Sequence, residues 1–203
     1  MIDIYQQRYL EHIQRKKQTF AVNVEQGTRD KPKPELPTII RDRHSQRTFS
    51  DMPLTMTELN ILYKAARLAP SSCNRQAITL KPIVRANEKD QLEEWLVGGR
   101  KWIGKAFVIL LLFADMQAYK SPVERDFMPY LDAGFMASTI CLAATGLGVG
   151  ACYVNPNIRQ ANKAAFDALF NSKAFLFCGA IALGNYSRED IAPPKRDIGG
   201  LFY

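Results

Sequence analysis

Only two histidines, His12 and His44, occur in the 203 residues, and the four cysteines at 73, 141, 152 and 178 show no C-x-x-C spacing. Zinc-type sites need a cluster of imidazole and thiolate ligands at fixed spacing, so none is expected. Little remains for nucleophilic catalysis. Ser71 and Ser72 lack a nucleophile-elbow context, and a pair of Cys73 with His44 has no third group to orient it. No G-x-G-x-x-G follows a strand pattern and no G-x-x-x-x-G-K-[ST] loop occurs, which removes the Rossmann and P-loop phosphate sites. Met1 to Phe20 is polar and ends in Arg15-Lys16-Lys17, without the apolar core of a secretory signal. The expected compartment is therefore the cytoplasm, with reduced thiols.

What is present suits a globular chain with a sizeable core: 47% of residues are apolar and 23% charged. The net charge of +7 is spread along the sequence and accompanies no nucleic-acid motif, so no nucleic-acid partner is expected. The same positive field serves a phosphorylated cofactor or an anionic cosubstrate. Ala133 to Val154 is uncharged over 22 residues and passes a length test for a membrane helix. Gly146-Leu147-Gly148-Val149-Gly150 would break such a helix, and Ala, Ser and Thr dominate before it. A buried helix from Arg125 to Thr145, a turn, and a strand ending near Val154 are expected instead, with no membrane span.

Along the chain, Ile4, Tyr5, Tyr9, Leu10 and Ile13 predict a helix over residues 3–18, and Pro32, Pro34 and Pro37 predict an extended arm from Ala21 to Pro37. Residues 1–40 are thus expected to form a helix and arm ahead of one domain over 41–203. Thr55 with Glu58 is a capping box in front of the stripe Leu59, Leu62, Tyr63, Ala66. A strand over Thr79–Ala86 follows, then a helix capped by Asn87 that runs through Val97 and stops at Gly98-Gly99. Ala106 to Ala114 reads as a central strand, being too short for a bilayer and too apolar for a surface. Asn157 with Gln160 predicts a capping box for a helix to Phe170, and Phe175–Leu183 another buried strand.

Two polar stretches stand out. Arg43-His44-Ser45-Gln46-Arg47 sets two guanidiniums and a hydroxyl in five residues, a donor set for an anion. Ala69-Pro70-Ser71-Ser72-Cys73-Asn74-Arg75-Gln76 makes a polar turn between helix and strand. Together with Asp132-Ala133-Gly134, Gly146-Leu147-Gly148 and Pro194-Lys195-Arg196, they resemble the nitroreductase family of FMN-dependent oxidoreductases over residues 40–198.

The resemblance implies an α+β fold: a mostly antiparallel sheet of four or five strands wrapped by helices, in an intertwined homodimer with FMN at the interface. It implies that Arg43, Ser45 and Arg196 hold the phosphate and ribityl side, with the adjacent Lys195 as the alternative to Arg196 at the phosphate, and that Arg47 lies at the pyrimidine edge. His44 and Gly148 would lie beside the cofactor. Pro70, Ser71, Ser72 and Asn74 would reach it from the other protomer. No side chain would be catalytic in its own right, because flavin carries the electrons. The implied reaction passes a hydride from NAD(P)H to an electron-poor small molecule of nitroaromatic or quinone type. The chain departs from the family pattern at Ala77-Ile78, where Pro-Trp is usual, at Phe107, where the central strand customarily opens with proline, and at the adjacent pair Lys195-Arg196. These departures keep two alternatives open: a flavin-dependent reductase or dehydrogenase of one biosynthetic intermediate, and a flavin-binding protein without turnover.

Overall fold

The computed structural model describes residues 36–170, 174–188 and 190–197, together with Gln14. These elements belong to a compact unit that begins at Pro37. The expected helix over residues 3–18 and most of the proline-rich arm lie outside the described residues.

Val108–Asp115 is the central strand β2, every residue of it buried but the last. It is flanked by Ile78–Ile83 (β1) and Phe175–Gly184 (β4), and Gly150–Val154 (β3) closes the far edge, giving the antiparallel order β1-β2-β4-β3. Side chains of a strand alternate between faces, and β2 feeds two cores in this way. Leu110 and Leu112 pack with Ile181, Leu183, Leu59, Leu62 and Ile140 on one face. Ile109, Leu111 and Phe113 pack with Phe177, Leu92, Trp95 and Phe166 on the other. The register slips between Leu112 and Phe113, where β4 carries an extra residue at Cys178. The Tyr153 hydroxyl donates to the Cys178 carbonyl at 2.7 Å across this bulge. Gly179 beside it has φ +129°, and a Cβ there would lie 2.4 Å from the Tyr153 oxygen, so both backbone and space require glycine.

The helices are Thr38–Asp42 (α1), Met56–Arg67 (α2), Ala86–Trp95 (α3), Pro122–Gly146 (α4) and Lys163–Phe170 (α5). The Thr55/Glu58 capping box of α2 is present. Helix α4 starts earlier than Arg125, because Ser121 and Glu124 form a second capping box with Pro122 in the first turn. It is long and apolar enough to cross a membrane by length and composition. Here Ala133, Ala137, Ile140 and Ala144 are buried in the core it shares with α2 and the sheet.

Three expected caps are corrected. Asn87 lies inside α3, whose N-cap is the extended Arg85 without a side-chain bond. The same helix ends at Trp95, not at Val97, because Leu96 turns extended and bridges Ile158. That bridge also cancels the Asn157/Gln160 capping box. Asn157 gives its carbonyl to Val97 at 2.9 Å and Arg159 donates its N–H to the Trp95 carbonyl at 2.8 Å. The segment is thereby committed to α3, and α5 begins only at Lys163 after a short turn.

Candidate functional site

The Arg43–Arg47 loop runs beside edge strand β3, tied to it by the Gln46 N–H, which donates to the Ala151 carbonyl at 3.0 Å. Its side chains divide between two sides. Burial pushes the Cys152 thiol of β3 up; Arg47, the Ser45 hydroxyl and Arg43 oppose the rise and Asp190 adds to it. His44 and Gln46 turn into a cavity of about 330 Å³ shared with Asp42, Thr145, Gly150 and Tyr186. There the His44 Nδ1 donates to the Asp42 carbonyl at 2.9 Å, since a carbonyl can only accept. Its Nε2 is buried and has no partner among the described residues.

A clamp that the sequence did not announce holds this loop. Gln46 is 2% exposed. Its Nε2 donates to the carbonyls of Thr48 and Arg188, both at 2.9 Å, and its Oε1 accepts from the Asp190 N–H at 2.9 Å. In return the Asp190 carboxylate accepts from the backbone of Arg47 (2.5 Å) and Thr48 (3.1 Å) and from the Thr48 hydroxyl (2.6 Å). Burial works to raise the Asp190 carboxyl, but these bonds outweigh it and hold it below its usual range.

A second wall comes from the loop between α3 and β2. The Arg47 guanidinium lies over the Trp102 ring at 5.8 Å, and Trp102 donates Nε1–H to the Gly98 carbonyl at 3.0 Å. Lys101 has φ +69°, uncommon for a side chain with a Cβ. The Glu93 carboxylate fixes that bend by accepting from the N–H groups of Lys101 and Gly104, each at 3.0 Å. Nothing in local spacing marks Trp102, which meets Arg47 from far along the chain, or Glu93, whose bonds reach 8 and 11 residues ahead.

The polar turn lies elsewhere. Cys73, Asn74 and Gln76 have φ of 52°, 54° and 53°. Ser72 donates through both its N–H and its hydroxyl to Asp132 Oδ1, each at 2.8 Å, and the Tyr119 hydroxyl donates to Oδ2 at 3.0 Å. Burial first, and the bond to Asp132 next, push the Tyr119 hydroxyl well above its ordinary range. Pro70 and Ser71 line an apolar cavity of about 360 Å³ with Tyr63, Ile78 and Met136.

The expected site residues therefore form separate groups. The turn is fixed to α4 at Asp132 and the arginine loop borders α4 at Thr145. The 13 residues between them rise about 20 Å along a helix. Gly148, at φ +68°, ends α4 in the left-handed form, with its N–H donated to the Thr145 carbonyl at 3.1 Å. Lys195 and Arg196 are exposed on the irregular segment beyond Asp190.

The Nitroreductase family model matches residues 40–100 and 79–185. The chain belongs to the nitroreductase family. It is 32% identical over 125 residues to an FMN reductase [NAD(P)H] of Bacillus subtilis, covering 55% of this chain and 50% of that protein. It is 26% identical over 125 residues to an NADPH-flavin oxidoreductase of Vibrio harveyi, covering 58% and 51%. The chain thus spans about half the length of these curated nitroreductase relatives. Among solved structures, a putative nitroreductase in complex with FMN from Desulfovibrio desulfuricans superposes with a TM-score of 0.70 at 27% identity, over 83% of this chain and 96% of that one. NfrA2 of B. megaterium superposes with a TM-score of 0.72 at 22% identity, over 81% and 72%. The four-stranded antiparallel sheet between helices is thus the nitroreductase fold.

Proposed function

We propose that this chain is an FMN-dependent oxidoreductase of the cytoplasm that carries a hydride from NAD(P)H to an electron-poor acceptor of nitroaromatic or quinone type, working as a homodimer. The observation that carries the reading is the alternation along the loop tied to β3: His44 and Gln46 line the cavity on one side, which leaves Arg43, Ser45 and Arg47, two residues apart, to the other. Two guanidiniums and a hydroxyl on one face suit a phosphate monoester and an electron-rich ring edge. The names of the B. subtilis and V. harveyi relatives and the FMN held by the D. desulfuricans protein support the same cofactor.

Bound FMN would supply the two-electron chemistry, and the chain supplies binding and electrostatics. Arg43 and Ser45 hold the phosphate and ribityl side, with Lys195 or Arg196 closing over it from the C-terminal segment. Arg47, steadied on Trp102, places a cation where reduction accumulates negative charge. His44 and Gly148 shape the border of the site from behind the loop and from the end of α4.

A second copy completes the site. The turn and the arginine loop border α4 at points about 20 Å apart along its axis, which suits a cofactor shared between two chains. Helix α4 also leaves an apolar stripe in the open, with Val123 69%, Phe127 50%, Leu131 46% and Phe135 40% exposed at four-residue spacing. Such a patch fits a partner helix, and Pro70, Ser71, Ser72 and Asn74 would then reach the cofactor of the other protomer. Ile78 stands where the family usually has tryptophan and lines the cavity beside the turn. That widening favours, as a second reading, an acceptor of defined shape such as one biosynthetic intermediate.

Anaerobic addition of NADH or NADPH to the FMN-loaded protein tests the activity. Loss of the oxidised flavin band, restored by a quinone or nitroaromatic, is expected. A band that neither nucleotide bleaches would leave a flavin-binding protein without turnover.

A further inference from the structure

Asp132 is 1% exposed, and it accepts hydrogen bonds from three neutral donors: the Ser72 N–H, the Ser72 hydroxyl and the Tyr119 hydroxyl. The neighbouring cation, Arg75, stands behind Tyr119, stacked 5.7 Å from its ring centre and paired with Glu124 at 2.9 Å. Among the described residues no cation pairs directly with this buried carboxylate, and a buried charge so placed is a poor device for stability alone. The bonds it receives fall at the start of a turn with three left-handed residues, Cys73, Asn74 and Gln76, none of them glycine. Non-glycine residues persist in that region only where their surroundings over-determine them, and such strain gathers at functional sites. Inside the turn, Ser71 Oγ accepts from the Gln76 N–H at 3.0 Å and the Asn74 side chain accepts from Gln76 Nε2 at 3.2 Å. Two charged contacts tie the turn to α4: Arg75 with Glu124 near the start of the helix, at the turn's far end, and Ser72 with the buried Asp132, at the point where the left-handed residues begin.

Helix α4 also carries the open stripe of Phe127, Leu131 and Phe135, with Leu131 next to Asp132 in the chain and Phe135 about one turn beyond it. We infer that Asp132 is a positioning residue, which fixes the strained Ser71–Asn74 turn to the helix that meets the second protomer and so sets where the turn lies against that protomer's cofactor. The inference rests on the proposed flavin site. It assigns Asp132 and, behind it, Tyr119 a role in the partner's site, although neither touches it.

Amide hydrogen exchange in the cofactor-free protein, run beside FMN titration, separates the two claims. In Asp132→Ala the amides of Ser72 to Gln76 should exchange at least about tenfold faster, the least expected from loss of a bond to a charged acceptor, while amides of β2 and β4 keep their rates. FMN should bind at least about tenfold more weakly, and Tyr119→Phe should shift both readings less. Should Asp132→Ala not fold, the isosteric Asp132→Asn carries the test, with turn exchange about threefold faster because a neutral acceptor holds an N–H more weakly. Unchanged turn exchange in the variant that folds would overturn the inference. Faster exchange with unchanged FMN binding would overturn the turn's part in the site and leave the flavin reading standing. A wild-type protein that binds no FMN would defeat the flavin reading itself, and with it the assigned role, whatever the exchange data show.

Discussion

Gln46 and Asp190 grip each other's segments across 144 residues: the Asp190 N–H donates to Gln46 Oε1 at 2.9 Å, and the Asp190 carboxylate receives the N–H groups of Arg47 and Thr48. The C-terminal segment therefore helps to fix the arginine loop, beside its bond to β3 and its own local bonds. Asp190→Ala should cost about 1–3 kcal/mol in urea unfolding, the usual size for hydrogen bonds to a charged acceptor. Because the folded carboxyl titrates below its unfolded value of about 3.9, its contribution is present above that pH and fades as pH falls through the folded value. Acid unfolding curves of the wild type and Asp190→Asn should accordingly converge toward low pH. A gap between them that widens on acidification would contradict the role.

Arg47 and Arg196 should fail in different ways. A cation at the ring edge interacts more strongly with reduced than with oxidised flavin, so Arg47→Ala should make bound FMN harder to reduce with a smaller effect on binding. Trp102→Ala, which removes the surface under that guanidinium, should move the potential in the same direction by less. Phosphate contacts do not change on reduction. Arg196→Ala should weaken FMN by about 1.5–3 kcal/mol and leave the potential nearly in place. Redox titration beside binding measurements on these variants makes the comparison.

Phe127→Asp or Leu131→Glu puts charge into the open stripe of α4 without touching its buried face. Either change should yield a folded monomer that has lost FMN, because the turn can no longer reach a partner's site. Light scattering with absorbance detection reports both at once. A flavin-loaded monomer would refute the shared site.

At the β4 bulge, Gly179→Ala should destabilise by about 2–4 kcal/mol, combining a disfavoured backbone angle with displacement of Tyr153. Tyr153→Phe, which loses only the bond to the Cys178 carbonyl, should cost about 1 kcal/mol. Thermal or urea unfolding decides between them.

How far the fold could be read beforehand follows from where the information lies. Val108–Asp115 was legible as a central strand because burial on both faces forces an unbroken apolar run, and the Thr55/Glu58 box because both partners lie within one turn. Asn157 misled because its segment is committed to α3 by the Leu96–Ile158 bridge, which spacing along the chain does not encode, and Asn87 because α3 already begins at Ala86, one residue ahead of it. The same limit applies to the site. Arg43, Ser45 and Arg47 form a local pattern, whereas Gln46, Glu93, Trp102 and Asp190 matter only through contacts with distant segments. A rule relating Ser72 to Asp132, 60 residues apart, has no local signature either.

The central claim is that the arginine face holds FMN. The most direct measurement is chromatography of the cofactor released by heat from the purified protein, with the flavin counted per chain. A yellow protein that releases FMN, one per chain, is expected, because the basic side chains suit one terminal phosphate and these 203 residues carry no adenosine-binding fingerprint. A colourless protein that takes up no added FMN, or one that releases FAD, would contradict it.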